Sequence, residues 1–103
     1  MDPRDTTAAV TDAYTAAADD AIAEAERVRA RWAERGDTEG AALAERLQQQ
    51  LVASRDDARR GTLPPRNGGF PLTRFVGEYD WGPDADGLVD RVYALQRIWE
   101  GRV

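Results

Sequence analysis

Residues 14–47 read YTAAADDAIAEAERVRARWAERGDTEGAALAERL, and the order of apolar residues in this stretch decides the fold. Tyr14, Ala18, Ala21, Ala25, Val28 and Trp32 recur at steps of four and three, which places them on one face of a helix. Val10 extends that face backward. Charge is graded along the same segment. Asp5, Asp12, Asp19, Asp20, Glu24 and Glu26 come first, then Arg27, Arg29, Arg31 and Arg35, the order that a helix dipole favours. Gly36 reads as a stop and Asp37 or Thr38 as a new N-cap. So short a link forces the flanking helices into an antiparallel hairpin. Because the stripe is mostly alanine, the two backbones approach closely but bury little apolar area.

Working outward, the first helix spans about 5–35 and the second about 38–60. Leu43, Leu47, Leu51 and Ala58 mark the inner face of the second helix, which closes on Arg55, Arg59, Arg60 and Gly61. Composition then changes. Residues 61–83, GTLPPRNGGFPLTRFVGEYDWGP, hold four of the five prolines and five of the nine glycines. Pro64-Pro65 forbids a helix and Asn67-Gly68 signals a turn. The segment 61–83 is therefore expected to be an ordered loop, with Phe75-Val76 as one extended stretch. Pro83 suits a first helical position and opens a third helix over about 84–101. Leu88, Val92, Leu95 and Trp99 form its stripe, with acids at its start and Arg97 near its end. The fold class expected is all-α: one small domain over 1–103, built as a long antiparallel helical hairpin plus an ordered Pro/Gly loop and a C-terminal helix. The arrangement is bundle-like and is completed by self-association or by a partner chain.

All fourteen basic residues are arginine; there is no lysine, histidine or cysteine, and Ser54 is the only serine. That removes the imidazole switch, the thiolate nucleophile and the amine that forms Schiff bases. It also removes the usual zinc and copper ligands, so no cofactor and no metal are expected. A net charge of −5 argues against nucleic-acid binding, which needs a basic surface. No apolar run is long enough for a membrane span, and nothing apolar follows the Met-Asp-Pro-Arg-Asp start. A cytoplasmic protein is expected, and the abundance of Ala, Arg, Gly, Asp and Val without lysine points to a GC-rich bacterial genome.

Short motifs resolve mostly into ordinary helix chemistry. Asp84-Ala85-Asp86-Gly87 has the centre of a calcium loop, but Gly82 and Tyr93 stand where its first and last ligands belong. Acids at a helix start explain it. Arg27, Arg31 and Arg35 align on one face as a solvated ladder, or as a grip for phosphate or an acidic partner. Asp19-Asp20 and Asp56-Asp57 are sequence neighbours that point to different sides of a helix, unlike a catalytic carboxylate pair. Asn67-Gly68-Gly69 lacks the Lys-Ser/Thr of a phosphate loop. A helical hairpin of this length with a tryptophan near the bend is similar in outline to the small type VII secreted proteins. Trp32, however, lies four residues before Gly36 where that family has Trp-x-Gly, and Arg97 stands where its Tyr-x-x-x-Asp/Glu signal needs an acid after Tyr93. No residue or function is carried over from that family.

The loop carries the functional expectation. Six of the eight aromatics lie between Phe70 and Trp99, with Arg66 just before and Arg74 among the first four. Aromatics interleaved with arginine are the usual composition of an interface centre. Arg66, Phe70, Arg74, Phe75, Tyr79 and Trp81 are the expected partner-binding residues, on a non-enzymatic interaction module whose partner is another protein chain or itself. The same rings have an intramolecular use: they would pack over the hairpin and supply the core its alanines do not. Two alternatives remain. One is a binder or enzyme for a small anionic ligand, using Arg, Tyr and carboxylates. The other is an acidic mimic of nucleic acid.

Overall fold

Gly36 and Gly61 close the first two helices in the same way. Each adopts positive φ (80° and 72°) and its own N–H and the next donate back into the helix end. At the bend, Gly36 N–H reaches Ala33 O at 3.0 Å and Asp37 N–H reaches Trp32 O at 2.9 Å; at the second stop, Thr62 N–H reaches Asp57 O at 2.8 Å. These are Schellman closures, which satisfy carbonyls that the helix itself leaves open. Asp37 then caps the next helix, its carboxylate accepting from Gly40 N–H at 2.8 Å.

The structure is a computed structural model that describes residues 3–64 and 68–101. The elements are α1 (Pro3–Glu34), α2 (Thr38–Arg60), α3 (Pro71–Gly77), a 3-10 turn (Pro83–Ala85) and α4 (Asp86–Gly101). Helices α1 and α2 form the expected antiparallel hairpin. Helix α4 docks along the other flank of α1, and α3 bridges α2 and α4. The result is an elongated helical bundle of 52 × 23 × 20 Å. Among the described residues there is no strand, and no helix is long and apolar enough to cross a membrane.

One part of the 61–83 reading is corrected. Residues Pro71–Gly77 are helical, so Phe75 and Val76 are not extended. Phe70 is extended at the N-cap position and Pro71 occupies the first turn, where a missing N–H costs nothing. Leu72 and Val76, one turn apart, then point inward together. The C-terminal helix also starts later than Pro83. The 3-10 turn comes first and α4 proper begins at Asp86.

The core follows the sequence stripes. Tyr14, Ala18, Ala21, Ala25 and Val28 are fully buried on α1, opposite Leu47 and Leu51 of α2 and Leu88, Val92 and Leu95 of α4. Bulk comes from the crossing segment. The Phe70 ring lies 6.5 Å from Tyr14 edge-on and 5.0 Å from Trp99. Trp99 Nε1–H donates to Pro64 O at 2.8 Å, pinning the chain as it leaves α2. The Tyr14 hydroxyl shares a 2.6 Å hydrogen bond with Ser54, so the single serine bonds the largest fully buried side chain of α1. No buried side-chain polar atom among the described residues lacks a partner.

Two ion pairs splay from adjacent residues of α1. Asp19 accepts from Arg55 of α2 at 2.9 Å, and Asp20 accepts from Arg91 of α4, also at 2.9 Å. Both are solvent-exposed at the carboxylate and set register more than stability.

The alanine seam is a size constraint. Ala21→Leu, inside the seam, is expected to lower unfolding free energy by about 1–3 kcal/mol through overpacking. Ala23→Leu, on the exposed face of the same helix, should stay within about 0.5 kcal/mol of the parent. Urea unfolding of both variants checks this; equal effects at the two positions would show that the seam is not the tight contact described.

Candidate protein-binding surface

At the bend end of the hairpin, four rings form a series from interior to surface. Trp32, in the last turns of α1, stacks on Trp81 with centroids 6.1 Å apart and planes at 24°. Trp81 Nε1–H donates to Val76 O at 2.9 Å, closing the chain after α3 back onto that helix. Phe75 lies 6.3 Å from Trp81 and 5.2 Å from Tyr79. Tyr79 is 38% exposed, and the Arg46 guanidinium of α2 sits over its ring at 5.8 Å. Offset aromatic pairs of this kind contribute about 0.5–1.5 kcal/mol each beyond their buried area.

Close approach at this end depends on Gly40. A Cβ there would stand 2.9 Å from the Trp32 ring and closer still to the Asp37 carboxylate. A glycine inside the first turn of a helix is otherwise unfavourable; here it lets α2 pass directly over the indole.

The arginine ladder has a structural use at the same place. Arg31 Nη2 donates to Asp84 O at 2.7 Å, and Arg35 pairs with the Asp84 carboxylate. Arg27 turns instead to Glu24 at 2.7 Å. Two of the three arginines thus clamp the 3-10 turn onto the end of α1 and hold the Trp32–Trp81 stack shut. The hydrogen bond and charge of Arg35 hold the Asp84 carboxyl below the usual aspartate range, with smaller help from Trp32 and Arg31. Glu26 also moves down, chiefly through its hydrogen bond from Arg29.

Two shallow grooves flank the series. One, of about 300 Å³, is lined by Trp32, Arg35, Leu43, Asp80, Trp81 and Asp84, among others. The other, of about 550 Å³, is lined by Ala42, Leu43, Arg46 and Tyr79 together with Asp37, Glu39 and Gly40. Both open broadly to solvent. Among the described residues no three metal-capable side chains converge.

The six expected contact residues divide. Arg66 lies outside the described residues. Phe70 and Trp81 lie in the core and not at the surface: they are 4% and 6% exposed, Phe70 packed on Tyr14 and Trp99 and Trp81 on Trp32 and Phe75. Phe75 is half-buried at the edge, while Arg74 and Tyr79 are exposed. Phe75 and Tyr79 are brought together; Arg74 lies back over Gly69. Sequence reasoning missed Glu39, Ala42 and Arg46, which stand one turn apart beside Leu43 on α2. Their spacing of three and four was the available signal.

Comparison with known proteins adds no relative: no family model, no curated protein and no solved structure matches the chain.

The clamp has a pH signature. The folded pKa of Asp84 lies below its unfolded value, about 3.9, so its contribution is complete above that pH and is lost as pH falls through the folded value. A carboxyl NMR titration is expected to place Asp84 below the ordinary midpoint and to return it there in Arg35→Gln. An ordinary midpoint in the parent protein would contradict the clamp.

Proposed function

We propose that this protein is a non-enzymatic cytoplasmic binding module that docks another protein chain on the surface at the bend of its helical hairpin. The observation that carries the reading is Tyr79. Every other aromatic of the crossing segment is drawn into or against the core, yet Tyr79 stays out, backed by Phe75 and flanked by Arg46 in a groove that Ala42 and Leu43 also line. A rigidly backed ring with an arginine on its face is the composition of an interface anchor. Arg74, Phe75 and Tyr79 remain from the expected contact set, joined by Leu43 and Arg46.

The surrounding chemistry supports docking over turnover. A general acid needs a carboxyl raised toward neutrality; Asp84 and Glu26 both move the other way. A small anion would need free guanidinium groups in a cleft, and at this end Arg31 and Arg35 are held by Asp84. A chain without cysteine needs no oxidising compartment, which fits a cytoplasmic setting.

The test compares two exposed tyrosines. Tyr93, 43% exposed on the outward side of α4, is the control. Quantitative capture of partner chains from host extract is expected to weaken about 30-fold in Tyr79→Ala, equivalent to about 2 kcal/mol, and to be unchanged in Tyr93→Ala. Full retention by Tyr79→Ala, or a loss that follows Tyr93, would refute the reading.

A further inference from the structure

Three charged residues line the larger groove, and the fold accounts for two of them. Asp37 caps α2, and Glu39 sits in its first turn, where a helix dipole favours an acid. The third, Arg46, has no such use. Every other arginine from Arg27 to Arg60 pairs with a carboxylate or, for Arg31, donates to Asp84 O. Around Arg46 the positions three and four residues away are Ala42, Leu43, Gln49 and Gln50, so no acid stands one turn from it. It lies in the middle of α2, where neither end of the helix dipole favours a cation. Among the described residues its guanidinium has one partner, the Tyr79 ring at 5.8 Å. Cation–π attraction uses the charge of the group and none of its five N–H donors. An exposed guanidinium with its donors unspent is thus held in place beside Leu43 and Tyr79.

We infer that this groove receives an internal segment of a partner protein in which a single acidic residue stands beside an apolar one, the apolar side chain laid on Ala42, Leu43 and Tyr79 and the carboxylate bonded by Arg46. This inference rests on the docking reading above and names the chemistry of the partner. A guanidinium accepts a carboxylate through two parallel N–H groups, and one already ordered against a ring loses less freedom on doing so. Charge complementarity also limits the segment to one acid. Glu39 lies two turns before Arg46 on the same helix, about 10 Å along its axis, with Asp37 beyond it. An acidic run would meet those carboxylates and the overall charge of −5. The groove opens broadly to solvent, so one guanidinium does not retain a free anion there; it adds selectivity to a segment that already buries an apolar side chain.

The probes are capped dodecapeptides of one alanine-rich host with Leu-Glu, Leu-Gln or Leu-Arg at the centre. Amide NMR shifts of the full chain follow binding. The Leu-Glu peptide is expected to shift residues 42–46 and 79 saturably and to bind about five-fold tighter than Leu-Gln, with Leu-Arg weaker still. In Arg46→Gln, an exposed substitution that circular dichroism is expected to report as folded, the preference for Glu over Gln is expected to vanish. A preference that survives Arg46→Gln, equal binding of the three peptides, shifts confined to other surfaces, or no saturable shift with any peptide overturns the proposal. So does an uncapped peptide ending in leucine that outbinds Leu-Glu, which would make the ligand a chain terminus. A concentration-dependent dimer that Arg46→Gln dissociates overturns it too, by assigning the groove to a second copy. A partner captured through Tyr79 whose affinity ignores Arg46→Gln removes the acidic assignment and leaves the docking surface in place; capture indifferent to Tyr79→Ala removes both.

Discussion

The alanine face of α1 is the constraint on which the rest of the molecule depends. Ala18, Ala21 and Ala25 are fully buried and bring α2 and α4 close against one helix, but they fill almost no volume. A bundle built on such a face needs bulk from elsewhere. Here the chain between α2 and α4 supplies it, running back along the bundle and inserting Phe70, Leu72, Val76 and Trp81. Two indole N–H groups fix that path by bonding backbone carbonyls, Trp99 to Pro64 and Trp81 to Val76. The segment is thus a wall of the core and not a loop laid over it.

That dependence explains which parts of the fold were legible in the residues. The stripes of α1, α2 and α4 are long enough for a helical period to stand out, and Gly36, Asp37 and Gly61 punctuate them with unambiguous chemistry. Helix α3 was not legible. Its seven residues carry two inward positions, too few to declare a period, and the prolines before it read as a breaker. What makes it helical is tertiary: Leu72 and Val76 are buried where α3 packs against α2 and α4. The candidate surface was half legible for the same reason. Aromatic and arginine content singled out the segment that carries Tyr79, but only the packing tells that Phe70 and Trp81 turn in while Tyr79 stays out. The partners of Tyr79 on α2 came from a distant part of the sequence, and no local pattern joins Arg46 to Tyr79.

Electrostatics divides the molecule's charged groups by use. Asp19 and Asp20 tie α1 to its two neighbours, and Asp84 is gripped by Arg31 and Arg35 at the bend. These pairs are exposed and individually weak, yet each fixes where one element meets another. Asp84-Ala85-Asp86 is the helix start that its acids indicate: the second acid begins α4, and the first also answers two arginines.

The stacked pair of Trp32 and Trp81 has an optical consequence. Indoles with centroids 6.1 Å apart share excitation, so their near-ultraviolet transitions mix and take on a rotational strength that neither ring has alone. Trp99 sits with Phe70 and not in that pair. The ellipticity of the folded chain therefore reads the closure of the bend end, and any event that lifts the 3-10 turn from α1 writes itself directly into that band without an added label.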